Sequence, residues 1–126
     1  MFASSPEHIV QMMDKAFNEG DVNSLLGFYE DAAVVVTEPT KLARGKQQLR
    51  LFLEHVMSSN HTARQLKTHV IEADGIALFL SRWTLATSDE AFPKKFVATT
   101  VFRRQQNGEW KALIDNPLGP LVLGPE

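Results

Sequence analysis

The chain has 126 residues, 13 lysines and arginines, 15 aspartates and glutamates, and a formal net charge of −2. This length predicts one domain, residues 1–126, and a near-neutral chain without a basic run is not expected to bind nucleic acid. The absence of cysteine excludes disulfides and thiolate chemistry, and no apolar run is long enough to cross a membrane. Since the N-terminus also lacks a basic segment followed by an apolar one, we expect a cytoplasmic protein with no membrane partner.

Three helices are predicted in the first half of the chain. In the first helix, apolar residues recur at helical spacing between the N-cap candidates Ser4 and Ser5 and the stop signal Gly20. Asp21 is the expected N-cap of a shorter second helix, and Gly45 opens a third helix with its own apolar face. The first two helices therefore form a hairpin with a tight turn.

The remaining segments predict strands joined by turns. The expected strands are 32–37, 62–73, 76–87, 95–105 and 110–116, with residues 40–45 as a loop after the first. Asp74-Gly75 and Asn107-Gly108 are dipeptides that two-residue hairpin turns prefer, because both central residues need a positive φ. The connection Ser88–Pro93 is expected to be mobile. Helices first and antiparallel strands afterwards predict an α+β fold with the helices on one face of the sheet.

Both faces of the predicted sheet are partly apolar. Phe79 and Trp83 lie on one face of a strand and Leu78 on the other, because successive side chains alternate. One layer of helices covers one face only, so the second face is expected to meet a partner, most economically another copy of the chain in a homodimer. The tail Pro117–Glu126 is expected to be extended, and the alternative to a dimer is that its residues 121–123 fold back over the second face.

The order of the elements carries a further signal. A short second helix ending in Phe28–Ala32, a turn at Glu38-Pro39, a third helix opened by Gly45 and a last hairpin at Asn107–Lys111 follow one another. Over residues 6–117 this order resembles the nuclear transport factor 2-like superfamily, nearest to its SnoaL-like and ketosteroid isomerase-like branches. The resemblance implies a single SnoaL-like domain of cystatin-like topology, a cone in which a curved antiparallel sheet wraps around three helices and leaves a mostly apolar pocket. Many such proteins are dimers through the outer sheet face.

The resemblance also assigns positions of the steroid isomerase site, in which an Asp is the base and a Tyr and a protonated Asp form the oxyanion hole. Glu38 falls on the base, but Met13 falls on the oxyanion Tyr and Thr100 on the protonated Asp. Leu53 falls on a supporting Tyr, whereas Tyr29 matches a Tyr at the end of the second helix. Because losing one oxyanion donor costs a factor of about 10² to 10³ in rate, authentic steroid isomerisation is not expected.

The inward register of the family implies that Leu113, Asp115 and Pro117 of the last strand face the cone. Asp115 is then expected to share an apolar cavity with Glu38. Two carboxyls in such a cavity push each other's titrations apart, which gives one proton donor and one acceptor. Glu38 and Asp115 are therefore the candidate catalytic residues.

The candidate substrate-binding residues are the inward-facing ones of the helices and strands. They are Met13, Phe17, Tyr29, Leu53, Phe79, Trp83, Thr100 and Phe102. The Trp83 indole or the Thr100 hydroxyl is expected to donate to a developing oxyanion. Structural interpretations stay open, with Asp115 bonding the backbone of the turn that follows, Glu38 as a solvated turn residue and Trp83 as core packing.

Two classes of function fit this sequence. None of the four histidines has a metal-binding spacing and no nucleophile motif occurs, so neither a metal nor a cofactor is expected. The first class is a cofactor-independent enzyme that moves protons on a small apolar molecule, as in isomerisation, cyclisation or dehydration. The second is a noncatalytic module that binds an apolar ligand or assembles subunits, because a fold alone does not decide function.

Overall fold

The computed structural model describes residues 2–58, 61–87 and 92–125. The helices are α1 (Pro6–Glu19), α2 (Val22–Gly27) and α3 (Gly45–Met57). The strands are β1 (Tyr29–Glu38), β2 (Lys41–Arg44), β3 (Thr62–Ala73), β4 (Ile76–Ala86), β5 (Lys94–Arg104) and β6 (Trp110–Asp115), and a 3-10 helix spans Gly119–Leu123. Mobility is predicted for the connection Ser88–Pro93 after β4, of which residues 88–91 lie outside the described residues.

The ends of the helices follow the capping signals of the sequence. The Ser5 side chain accepts a hydrogen bond from the His8 amide at the start of α1, and Gly20 ends this helix with φ of 74°. Asp21 caps α2 by accepting from the Ser24 amide. Each cap satisfies backbone groups that a helix end leaves unpaired, so the predicted helical hairpin is confirmed.

The six strands form one sheet in the order β2-β1-β6-β5-β4-β3, and the helices pack on its inner face. The α+β fold, with a curved sheet around three helices, is confirmed. The expectation of a wholly antiparallel sheet is wrong for one pair, because β1 and β6 run parallel. These two strands belong to separate antiparallel units, a β1–β2 hairpin and a β3–β6 meander with α3 between them. No hairpin joins the two units, so nothing in the connection requires antiparallel pairing.

Two local predictions are wrong. The segment expected as a loop contains β2, whose Ala43 pairs with Val35 of β1; this strand is short and lacks the β-branched run that marks strands in sequence. The turn at Asp74-Gly75 has both residues at positive φ as predicted, but in the last hairpin only Gly108 does, with φ of 89°. There the Gly108 amide bonds the Gln105 carbonyl, so the loop is longer than two residues.

The outer face of the sheet carries a row of apolar side chains. Ile71, Leu78, Val101 and Ile114 lie opposite one another on β3, β4, β5 and β6. Ile71 is 53%, Leu78 38% and Ile114 44% exposed, whereas the inner face holds fully buried residues such as Phe102. We call these four residues the outer row.

The C-terminal tail does not cover the outer row, so the alternative that its residues 121–123 fold back there is wrong. The tail runs to the β1–β2 turn, where the Thr40 amide donates to the Val122 carbonyl, and Leu121 stays exposed. The predicted extended conformation is also wrong for Gly119–Leu123, which form the 3-10 helix. A proline in the first turn suits such a helix, since the missing amide has no intrahelical partner there. None of the helices in the described ranges combines the length and apolar character that a membrane crossing requires.

Candidate functional site

A cavity of about 330 Å³ lies between the helices and the inner face of the sheet. Its walls come from all three helices, every strand except β2, and the first residues after β6. All eight candidate substrate-binding residues line it: Met13, Phe17, Tyr29, Leu53, Phe79, Trp83, Thr100 and Phe102. The predicted inward register of β4 and β5 therefore agrees with the structure, while the binding role of these residues stays a prediction.

Asp115 is held in the cavity wall by two hydroxyl groups. The Tyr29 hydroxyl donates to Oδ2 of Asp115 at 2.6 Å, and the Thr100 hydroxyl donates to Oδ1 at 3.0 Å. Burial raises the pKa of the Asp115 carboxyl above its ordinary value, and the two hydrogen bonds oppose this rise only in part. Burial and the neighbouring carboxyl also raise the pKa of Tyr29 well above its usual range. Tyr29 is therefore a hydrogen-bond donor at neutral pH, and Asp115 has a fixed orientation.

A β-bulge brings Asp115 to the inner face. Phe102 pairs with Ala112 and Val101 pairs with Ile114, so Leu113 is an extra residue in β6 without a partner on β5. The extra residue reverses the alternation, which places Ala112 and Asp115 on the same face although they are three positions apart. Asp115 and Pro117 line the cavity as expected, whereas Leu113 does not.

Asp14 of α1 is a cavity carboxyl that the sequence interpretation missed. Its Oδ1 accepts a hydrogen bond of 3.3 Å from the side-chain amide nitrogen of Gln65 on β3. The side-chain oxygen of Gln65 in turn accepts from the Ser81 hydroxyl. Burial, together with the charge of Asp115, raises the pKa of Asp14 from 3.8 to about 6. The available signal was position: Asp14 lies four residues after Val10 and therefore on an apolar face of α1, where an acid is unusual.

The predicted pairing of Glu38 with Asp115 is wrong. Glu38 lies outside the cavity, its side chain is 62% exposed, and it forms an ion pair of 3.2 Å with Lys41. Thr37, the preceding residue, lines the cavity instead. Because side chains alternate along a strand, Thr37 and Glu38 point to opposite faces. The second carboxyl of the cavity is therefore Asp14, and Glu38 is the solvated turn residue of the alternative interpretation.

The two expected oxyanion donors are already engaged. The Trp83 indole donates to the Pro117 carbonyl at 2.9 Å, and its ring stacks on Phe96 with 5.0 Å between ring centroids. The Thr100 hydroxyl donates to Asp115. Both groups therefore shape the cavity wall, and neither one donates into the open space. In the described ranges no three side chains of His, Cys, Asp or Glu cluster as metal ligands do.

Comparison with known proteins supports the architecture. A family profile described as SnoaL-like domain matches residues 9–113. No curated protein matches the sequence at a significant level.

Solved structures extend the similarity in fold. An NTF2-like protein of unknown function from Pseudomonas putida has a TM-score of 0.79 at 18% identity, covering 90% of this chain and 83% of its own. A putative calcium/calmodulin-dependent protein kinase type II association domain from Thiobacillus denitrificans has a TM-score of 0.77 at 16% identity, covering 94% of this chain and 98% of its own. A protein of unknown function with a cystatin-like fold from Nostoc punctiforme has a TM-score of 0.76 at 13% identity, covering 87% of this chain and 84% of its own. At these identities the likeness concerns the fold.

Proposed function

The chain belongs to the SnoaL-like domain family, within the superfamily of NTF2-like proteins with a cystatin-like fold. We propose that it binds a small, mostly apolar molecule and moves a proton on it. The observation that carries this proposal is that Asp14 and Asp115 line one aromatic cavity. Carboxyls with raised pKa values in a cleft are typical of proton-transfer sites.

The two carboxyls have different roles in this proposal. Asp14 has Gln65 as its one hydrogen-bond donor among the described residues and a pKa of about 6, so it exists in both protonation states near neutral pH. This makes Asp14 the group that removes and returns a proton. Asp115, fixed by Tyr29 and Thr100, orients the polar end of the ligand. The class of reaction is isomerisation, cyclisation or dehydration without a cofactor.

The site does not fit authentic steroid isomerisation. The position of the oxyanion Tyr is Met13 and that of the protonated Asp is Thr100, whose hydroxyl is bonded to Asp115. Without free neutral donors near the carbonyl oxygen, a dienolate is poorly stabilised, and one missing donor already costs about 10² to 10³ in rate.

The experiment that tests the proposal follows a proton on carbon. β-Tetralone, a small aromatic ketone with acidic C–H bonds, is incubated with the protein in deuterated buffer, and loss of its α-proton signal is measured by NMR. We expect exchange faster than in buffer alone, rising through about pH 6 as Asp14 loses its proton. The Asp14→Asn variant is expected to lose at least about 10²-fold of the acceleration, as removal of a general base does.

The matched control is Glu38→Gln, which makes the same change of charge outside the cavity. It is expected to exchange the ketone at the wild-type rate. No acceleration by the wild type, or equal acceleration by Asp14→Asn, contradicts catalysis by this pair. Binding of the ketone without any exchange would instead favour the noncatalytic ligand-binding module.

We also propose that two copies of the chain pair through the outer row. A contiguous apolar row across four strands, three of whose side chains are exposed, is costly in water, and such rows are usually interfaces. One of the similar structures bears the name of an association domain. This observation also favours the second candidate function, a module that assembles subunits; the two functions use opposite faces of the sheet.

A further inference from the structure

The charged groups of the cavity all have one sign. Asp14 and Asp115 contribute carboxyls, while no lysine, arginine or histidine is among its lining residues in the described part of the chain. A cleft with apolar walls focuses the field of its charges, so this cavity repels carboxylates and phosphates and attracts cations.

Aromatic rings line another part of the cavity wall. Trp83 stacks on Phe96, and Phe79 meets Phe102 edge to face with ring centroids 5.9 Å apart. The face of an aromatic ring attracts a cation, and the attraction grows when water is excluded. Carboxyls and rings are therefore two independent features of this wall that favour the same ligand charge.

The strand register places each carboxyl next to a ring. Phe79 lies directly opposite Thr100, which holds Asp115, and Trp83 lies opposite Gln65, which holds Asp14. Oδ1 of Asp14 accepts from Gln65, and no donor to Oδ2 occurs among the described residues. An ammonium group between carboxyl and ring can thus donate to a carboxylate oxygen while its apolar part fills the cavity.

From this arrangement we infer that the ligand is an organic cation, a small aromatic or aliphatic molecule that carries a protonated amine. The inference rests on the proposed function, since it names the ligand class of the same cavity. The expected ligand is a charged amine, because a neutral ligand of the same shape gains the apolar contacts but leaves the Asp14 carboxylate without a counter-charge.

Three probes with one ring system and different charge test it. They are naphthylmethylamine (cationic), naphthylmethanol (neutral) and naphthoate (anionic), and their dissociation constants are measured by calorimetry at about pH 7.5, where Asp14 is mostly ionised. We expect the amine to bind at least about tenfold more tightly than the alcohol, which corresponds to one close charge interaction, and the acid to bind most weakly.

Two variants separate charge from shape. Asp14→Asn keeps the side-chain volume and is expected to reduce amine affinity about tenfold while changing alcohol affinity less than about twofold. Glu38→Gln removes a carboxylate outside the cavity and is expected to change neither. Equal affinities of amine and alcohol for the wild type overturn the inference, and alcohol binding then shows that the cavity still takes apolar ligands. If none of the three probes binds, both the inference and the proposed binding function fail.

Discussion

The Tyr29 hydroxyl lies 2.6 Å from Oδ2 of Asp115, although the two residues are 86 positions apart in the chain. Tyr29 begins β1 and Asp115 ends β6, and these strands form the parallel pair of the sheet. Tyr29 pairs with Ala112, and Val35 pairs with Asp115. The register of these two parallel strands therefore sets the distance that the Tyr29 side chain spans. The position of the cavity acid therefore depends on the join between the two halves of the sheet.

The first prediction concerns this hydrogen bond. Tyr29→Phe removes the donor and leaves the ring, so we expect the pKa of Asp115 to rise further, because the hydrogen bond now lowers it. The free energy of unfolding is expected to fall by about 1–2 kcal/mol. Carboxyl carbon NMR against pH measures the first effect and urea denaturation the second. Thr100→Ser retains a hydroxyl beside Asp115 and serves as the control; an unchanged Asp115 titration in Tyr29→Phe would refute this role of Tyr29.

The second prediction concerns the dependence of stability on pH. The pKa of Asp14 is about 6 in the folded chain and 3.8 ordinarily, so between these values the folded state binds more protons than the unfolded state. The free energy of unfolding therefore decreases as pH rises through this window, and the destabilisation is complete above about pH 6.

Asp14→Asn removes the titrating carboxyl and with it this dependence of stability on pH. At about pH 7.5 we expect the variant to be more stable than the wild type by about 1–3 kcal/mol, and the difference to vanish near pH 4. Urea denaturation at both pH values measures it. Glu38→Gln, an exposed acid changed in the same way, is expected to show no such dependence. A destabilised Asp14→Asn protein at neutral pH would contradict the assigned burial of this carboxyl.

The third prediction concerns the tail. Gly119 has φ of 56°, and a Cβ atom there would lie 2.4 Å from the Val97 carbonyl oxygen. Gly119→Ala is therefore expected to cost about 1–3 kcal/mol, through backbone strain and the forced displacement of the tail from β5. Since Pro117 accepts the Trp83 hydrogen bond two residues earlier, faster hydrogen exchange of the indole is expected as well.

A second glycine provides the control for the tail prediction. Gly27 of α2 lacks a positive φ and has nothing within 4 Å of an added Cβ. Gly27→Ala is expected to be neutral or slightly stabilising. Denaturation curves and indole exchange of both variants form the comparison, and equal behaviour of the two would show that the tail is not held against β5 as described.

The fourth prediction concerns the outer row. Leu78→Lys places a charge in the middle of this row, so we expect a dimer to dissociate and the mass measured by sedimentation to fall to that of one chain. Leu51→Lys makes the same change at an exposed leucine of α3, outside the row, and is expected to leave the mass unchanged. A wild-type protein that sediments as one chain at high concentration would contradict the proposed pairing.

The sequence was sufficient where local rules decide the structure. Ser5, Gly20 and Asp21 lie at helix ends because their side chains or their freedom at positive φ satisfy groups that any helix exposes. The inward placement of Phe79 and Thr100 followed from alternation within single strands. Such features depend on a few neighbouring residues, so no knowledge of the rest of the chain was needed.

Other features depended on pairing between distant segments. Glu38 was expected inside, yet Thr37 takes the inner face of β1, so alternation and the ion pair with Lys41 leave Glu38 in solvent. Asp14 lies on an apolar face of α1, but only the packing of α1 near Gln65 of β3 places its carboxyl in the cavity wall. Both the inner face of β1 and this packing depend on segments that are far apart in the chain.

The bulge at Leu113 also has a genetic consequence. Deleting the single codon for Leu113 would remove the extra residue, so Ile114 would stay opposite Val101 and Asp115 would stay on the inner face. A strand that kept Leu113 but lost the bulge would instead bring Ile114 to the inner face and turn Asp115 to the outer one. The acidity of this cavity is therefore determined by the register of β6 against β5 as well as by its residues, and a deletion of the bulge residue itself would leave the carboxyl in place.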